Sequence, residues 1–175
     1  KGERPDAFFL IAEGRVQGTD FTIDGREVGL YFVNDGEFFG EMTLVDGLPS
    51  NEFLMATVKS TVIQVPRLLM EEVVFNSPPA ARIITLKITS RLRKLTEQRK
   101  ILALTNPLQK VCAQLLSMLP PQLATPPAPQ APSVEAEVPR APTHQELAIM
   151  INASRETVTR IFQVLQAENV VYKKG

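Results

Sequence analysis

The apolar residues change their period at Ser77-Pro78, so the chain must combine two kinds of layer. Before that point the pattern is that of strands. The stretch FFLIAEGRVQGTDFTIDGREVGLYFV mixes short apolar runs with alternation and is punctuated by Gly14, Gly18 and Asp24-Gly25. Asp-Gly between two strand-like runs marks a hairpin. GEFFGE and VDGLPSNE are turn-rich, and FLMATVKSTVIQV returns to strands. Many short strands at regular spacing over 7–66 imply a sandwich or barrel.

After Ser77 the spacing is helical. Ser77 is placed to cap and Pro78 to occupy the first helical position. Ile88, Leu92, Leu95 and Leu102 follow at intervals of 4, 3 and 7, an a/d stripe, with Arg91, Arg93, Lys94, Glu97 and Lys100 on other faces. Two readings stand: a seam between two copies of the chain, or a long helix lying on its own domain. Arg99 falls in the stripe and weakens the seam. Asn106-Pro107 restarts the chain, and LQKVCAQLLSML is a further amphipathic helix. Residues 120–142 hold 8 of the 14 prolines, and proline both lacks the helix donor and clashes with the preceding turn. This segment is an extended spacer or, less simply, a polyproline motif for a partner.

Charge is unevenly spread although 19 basic groups balance 19 acidic ones. Residues 1–76 carry a net charge of −7 and residues 77–102 one of +6. A basic end is compatible with nucleic acid. No apolar run reaches the roughly 18 residues of a membrane span. There is no signal-peptide pattern, although a chain starting at Lys1 can be missing its natural start. The single Cys112 cannot form an internal disulfide, which suits a cytoplasmic location. Together with the single His144 it cannot supply a Cys-ligated iron–sulfur cluster or a His-rich metal site. No nucleophile–base pair and no P-loop is visible, so the chain is not read as an enzyme and no metal or obligatory cofactor is expected.

Residues 143–165 carry the most specific pattern. THQE at Thr143–Glu146 is a capping box. LAIMI continues a short helix, Asn152-Ala153 turns, and Ser154 caps a second helix. Helix, tight turn, helix is the helix-turn-helix arrangement. Val158, Ile161, Phe162 and Leu165 form the buried stripe of the second helix, so Arg155, Glu156, Thr159 and Arg160 face outward. The first turns of a recognition helix reach base edges in the major groove. Arginine suits guanine O6 and N7, and glutamate accepts from cytosine N4. Ser154, Thr157, His144 and Gln145 lie near helix N-termini, where phosphate is favoured. The plainer alternative is a surface helix with an ion pair.

THQELAIMINASRETVTRIFQVLQAENVV resembles the helix-turn-helix of the Crp/Fnr (catabolite activator and fumarate–nitrate regulator) family. DGEFFGEMTLVDGLP resembles that family's phosphate-binding cassette. The resemblance covers nearly the whole chain and implies an α+β fold. Residues 1–76 would be a cyclic-nucleotide-binding-like β-roll (jelly roll), truncated at its start. Residues 77–104 would be a dimerisation helix, and 105–175 a winged helix-turn-helix interrupted by the proline-rich segment. By this likeness Arg155, Glu156 and Arg160 read bases, and Thr143, His144, Gln145, Ser154 and Thr157 touch the DNA backbone. Gly40, Glu41, Ser50, Asn51 and Thr96 would border an effector pocket. The chain would stop in mid-wing at YKKG.

One departure concerns the effector. Where cyclic-nucleotide-binding relatives carry an arginine for the cyclic phosphate, this chain has Ser50, followed by Asn51 and Glu52. No arginine lies between Arg26 and Arg67. Serine and asparagine lack the charged, bidentate fork that suits phosphate, and Glu52 would repel it. A cyclic nucleotide, another small effector and no effector remain open, and Gly40 and Glu41 can equally serve the fold alone. The expected function is a homodimeric transcription regulator that binds double-stranded DNA, works with RNA polymerase and stays off the membrane. The alternative is an effector-binding or scaffolding module whose DNA head does not function.

Overall fold

The computed structural model describes residues 2, 6–119, 135–138 and 140–172. Most of the proline-rich segment, 120–134 and 139, lies outside the described residues, as do 173–175 in the expected wing. The chain divides into two compact units, residues 1–95 and 96–175.

The first unit contains β1 (Ala7–Glu13), β2 (Arg15–Phe21), β3 (Glu27–Asn34), β4 (Phe38–Phe39), α1 (Glu41–Asp46), β5 (Phe53–Ala56), β6 (Thr61–Pro66) and α2 (Arg67–Asn76). It also holds most of the long α3 (Pro78–Ala103). Two antiparallel three-stranded sheets form, in the orders β4-β1-β6 and β3-β2-β5. The continuous apolar run Phe8–Ile11 reflects burial of β1 on both faces. Phe8 and Leu10 pack with Leu44, Val74 and Ile84 from the helices. Phe9 and Ile11 turn the other way, to Val16, Val33 and Leu54 of the second sheet. The Asp24-Gly25 hairpin forms as the sequence indicates, with the Gly25 N–H donating to the Thr22 carbonyl at 2.9 Å.

The a/d stripe of α3 does not behave as one surface. Ile84 is buried in the core of the first unit, and Ile88 packs against the same cluster. Leu92, Leu95 and Leu102 are exposed. Ile88 is only partly buried, so its own chain uses part of the surface that the seam reading assigns to a partner. The four-residue spacing that joins it to Leu92 does not distinguish a neighbour in the same fold from a partner.

The second unit holds α4 (Pro107–Ser117), α5 (His144–Ile151), α6 (Arg155–Ala167) and the end of α3. Ile101, Val111, Leu147, Ala148, Ile151, Val158 and Leu165 form its core. Burial of each such side chain contributes roughly 1.5–3 kcal/mol, against about 1 kcal/mol for a typical helix cap. Packing thus dominates stability, and the caps decide where each helix starts. The Asn106 side chain accepts from the Leu108 N–H at 2.9 Å. The Thr143 hydroxyl accepts from Glu146 N–H at 3.2 Å while the Glu146 carboxylate accepts from Thr143 N–H at 2.6 Å. Asn152, at φ 53°, closes α5, and the Ser154 hydroxyl opens α6 by accepting from Thr157 N–H at 3.2 Å.

Gly40 precedes α1 with φ 93°, a conformation that costs a residue with a side chain roughly 1–3 kcal/mol. A Cβ there would meet nothing closer than 3.5 Å, so the cost is of backbone origin. Gly40→Ala is expected to lower the unfolding free energy by about 1–3 kcal/mol in urea titration, and Gly40→Asn by less, because asparagine tolerates the left-handed region.

Candidate functional site

Among the described residues, polar side chains gather around a concavity in each of the two units. The first is a cavity of about 190 Å³ in the first unit. Gly40, Ser50 and Asn51 line it, as the cassette resemblance implies, and Phe9, Phe39, Leu48 and Leu54 make it apolar. Its charged lining is Asp46, Glu52 and Arg91.

Glu41 lies behind that lining. Its side chain is wholly buried, and its Oε1 sits 2.5 Å from Nη1 of Arg91. Burial raises the Glu41 carboxyl above its usual range, and the Arg91 charge opposes that shift. Arg91 also stacks over the Tyr31 ring, 4.0 Å from its centroid. The Tyr31 hydroxyl donates to the Glu52 carboxylate. Burial drives the phenol far above its ordinary pKa, so Tyr31 stays a donor. Gly18 makes room for this arrangement. It pairs with Tyr31 across β2 and β3, and a Cβ on it would lie 2.8 Å from the ring. None of Gly18, Tyr31 or Arg91 stands out in the sequence as a site residue, because their meeting is a matter of strand register and helix placement.

Several expectations change here. Glu41 is not part of the cavity surface, because Arg91 covers it. Thr96 is exposed. Glu52, expected to repel an anion, lines the cavity but is largely buried and bonded to Tyr31. The Ser50 hydroxyl is engaged within its own loop, donating to the Glu52 carbonyl at 3.1 Å. The lining does not fit a cyclic phosphate. Its one cation already faces a buried carboxylate, and two carboxylates share the wall.

The second concavity lies on α6, lined by Arg155, Glu156, Thr159, Arg160 and Gln163. Arg155, Glu156, Arg160 and Gln163 are exposed, while Val158 and Leu165 are buried on the opposite side. Glu156 is held below the usual carboxylate range by its own backbone N–H and by the Ser154 hydroxyl, so it remains an anionic acceptor. Thr159 faces the concavity as the helical phase implies, but it is half-buried and its hydroxyl also meets Nδ1 of His144 at 3.0 Å. His144 in turn stacks on Phe162 with 4.6 Å between centroids. The hydrogen bond reaches from α5 to α6, which residue spacing along one helix does not reveal. Gln163 was missed: it stands three residues beyond Arg160 on the same face. Gln145 is exposed, and the Ser154 and Thr157 hydroxyls bond each other at 2.9 Å.

Comparison with known proteins agrees with both halves of this description. Residues 1–77 match the model of the cyclic nucleotide-binding domain, and residues 109–175 match the Crp-like helix-turn-helix domain. The chain is 24% identical to the cAMP-activated global transcriptional regulator CRP of Haemophilus influenzae over 99% of its length and 75% of that protein's. It is 26% identical to the cAMP-activated global transcriptional regulator Vfr of Pseudomonas aeruginosa, over 99% of its length and 80% of that protein's. The structure of FixK2 from Bradyrhizobium japonicum, 20% identical, superposes with a TM-score of 0.77 over all of this chain and 82% of the other, and shows the same fold. A nucleotide-binding-type β-domain joined to such a DNA-binding head defines a class of two-domain regulators. The chain belongs to the Crp/Fnr family of transcription regulators.

Arg91 compensates a buried charge, so its removal is expected to be costly. Arg91→Met should destabilise the protein by about 3–5 kcal/mol at pH 7. A carboxyl with a raised folded-state pKa contributes stability that is present at low pH and lost as pH rises through that pKa. The deficit should therefore shrink at pH 5, where Glu41 without Arg91 takes up a proton. Urea unfolding of Arg91→Met and of Arg91→Met/Glu41→Gln at both pH values checks this, the second variant recovering most of the loss at pH 7.

Proposed function

We propose that the chain acts as a homodimeric, sequence-specific DNA-binding transcription regulator. The observation that carries this reading is the division of α6, with Val158 and Leu165 buried and Arg155, Glu156, Arg160 and Gln163 exposed around one concavity. Arg155 and Arg160 would take guanine, Glu156 cytosine and Gln163 adenine. Thr143, His144, Gln145, Ser154 and Thr157 would meet phosphates at the N-termini of α5 and α6. His144 would do so through Nε2, since Nδ1 is engaged by Thr159.

The dimer would form along α3 from Leu92 onward, with Leu95 and Leu102 on the seam. Leu92 and Leu95 are 64% and 48% exposed, and exposed leucines in a stripe support an interface between helices. Two copies would present recognition helices to half-sites roughly 34–36 Å apart. Contact with RNA polymerase and residence in the cytoplasm belong to this reading too. Any effector in the cavity would act by altering that spacing. The missing anion anchor argues against a cyclic nucleotide held through its phosphate, although relatives at 24% and 26% identity are described as cAMP-activated.

The test is selection of an operator from random sequence, then a binding series on single-base operator variants at fixed salt. Arg155→Ala and Arg160→Ala should each relax preference at one base pair per half-site, by about 1–3 kcal/mol. Ser154→Ala should weaken all variants alike. Equal loss on every variant for Arg155→Ala and Ser154→Ala would make α6 a cationic surface and no reader of bases. Leu95→Glu should yield monomers in sedimentation, and a tight dimer in that variant would remove α3 as the interface.

A further inference from the structure

We infer that Gln98 is a positioning residue for the recognition helix, assisted by Lys110; this rests on the DNA-binding reading of α6. The carbonyls in the last turn of a helix have no partner within it. In α5 the Ala148 carbonyl accepts from Ala153 N–H at 2.9 Å, across the turn at Asn152. The carbonyls of Met150 and Ile151 are met from outside. Nε2 of Gln98, on α3, donates to the Met150 carbonyl at 2.6 Å. Nζ of Lys110, on α4, approaches the Ile151 carbonyl at 3.4 Å. Two helices thus supply donors to one helix end, and the lysine charge also suits the negative pole of the α5 dipole.

Only Asn152, Ala153 and Ser154 separate that end from Arg155. Val158 and Ile151 share one core, so α6 cannot swing freely, but its rotation and entry angle follow from where α5 stops. A donor at Met150 holds the last turn of α5 and so the Ser154 cap on which Arg155 and Glu156 are mounted. Gln98 touches no base. It acts through the α5–α6 turn, and its removal should reduce specific binding without removing any DNA contact.

The experiment compares full-length variants on the selected operator and on a random duplex of equal length, at fixed salt. It also measures amide hydrogen exchange at residues 153–157, which needs no DNA. Gln98→Leu removes the donor, and Gln98→Lys keeps one. The loss of one such bond predicts a roughly fivefold to tenfold weaker operator affinity for Gln98→Leu, little change on the random duplex and faster exchange at 153–157. Gln98→Lys should restore most of the affinity and the protection. If Gln98→Leu does not fold, Gln98→Asn, one methylene too short, is read in the same way. Unchanged operator affinity with unchanged exchange overturns the inference, and so does an equal loss on both duplexes. If the unaltered chain selects no operator, the DNA reading fails, and the exchange rates alone decide whether Gln98 holds the α5–α6 turn.

Discussion

A carboxylate without any solvent exposure organises the first unit. Glu41 follows Gly40 at the start of α1, and burying its charge alone would cost several kcal/mol. Arg91 from α3 answers that charge and brings with it the Tyr31 ring, the Gly18 gap that admits the ring, and Glu52 at the Tyr31 hydroxyl. The cavity wall is built from the outer edge of this chain of contacts. Its chemistry follows from the compensation: the guanidinium that could have attracted an anion is turned toward a carboxylate of its own chain.

The second unit obeys a different constraint. Its helices are short, eight residues in α5 and thirteen in α6, and short helices are held mainly by tertiary packing. Val158 and Leu165 commit one side of α6 to the core, which obliges the arginines to face solvent. Side chains then finish three helix ends around the turn: Thr143 and Glu146 at the start of α5, Gln98 and Lys110 at its end, and Ser154 at the start of α6. The DNA-binding reading proposed for α6 would depend on such caps, because base contacts tolerate little displacement of the helix that carries them.

Much of the second unit was legible in the sequence, since its signals are local. A capping box, a helical apolar stripe and a charged first turn lie within some twenty consecutive residues, and the structure keeps each of them. The contact of Thr159 is the exception: helical phase places it on the outer face, where it lines the concavity, but does not show that His144 on another helix meets its hydroxyl. In the first unit the hairpin was equally plain, but α1 and α2 were not: both lie before Ser77, in a stretch whose pattern indicates strands and turns. Nor does the sequence show that Ile88 packs in part on its own unit, because an apolar residue on a long helix carries no mark of what it faces.

The sequence by itself determined the Asp24-Gly25 hairpin, the long helix that begins at Pro78, the capped helix-turn-helix and the lack of an arginine at Ser50, but not α1 or α2. These follow from periodicity and from residue type at a known place. Only the tertiary structure decided that Arg91 belongs to Glu41, that Gln98 closes α5, that Ile88 packs in part against its own core and that Glu52 is a buried acceptor. Those pairings join residues up to fifty-two positions apart. Their partners are chosen by strand register and helix placement, which depend on the packing of the whole unit and leave no trace in local spacing.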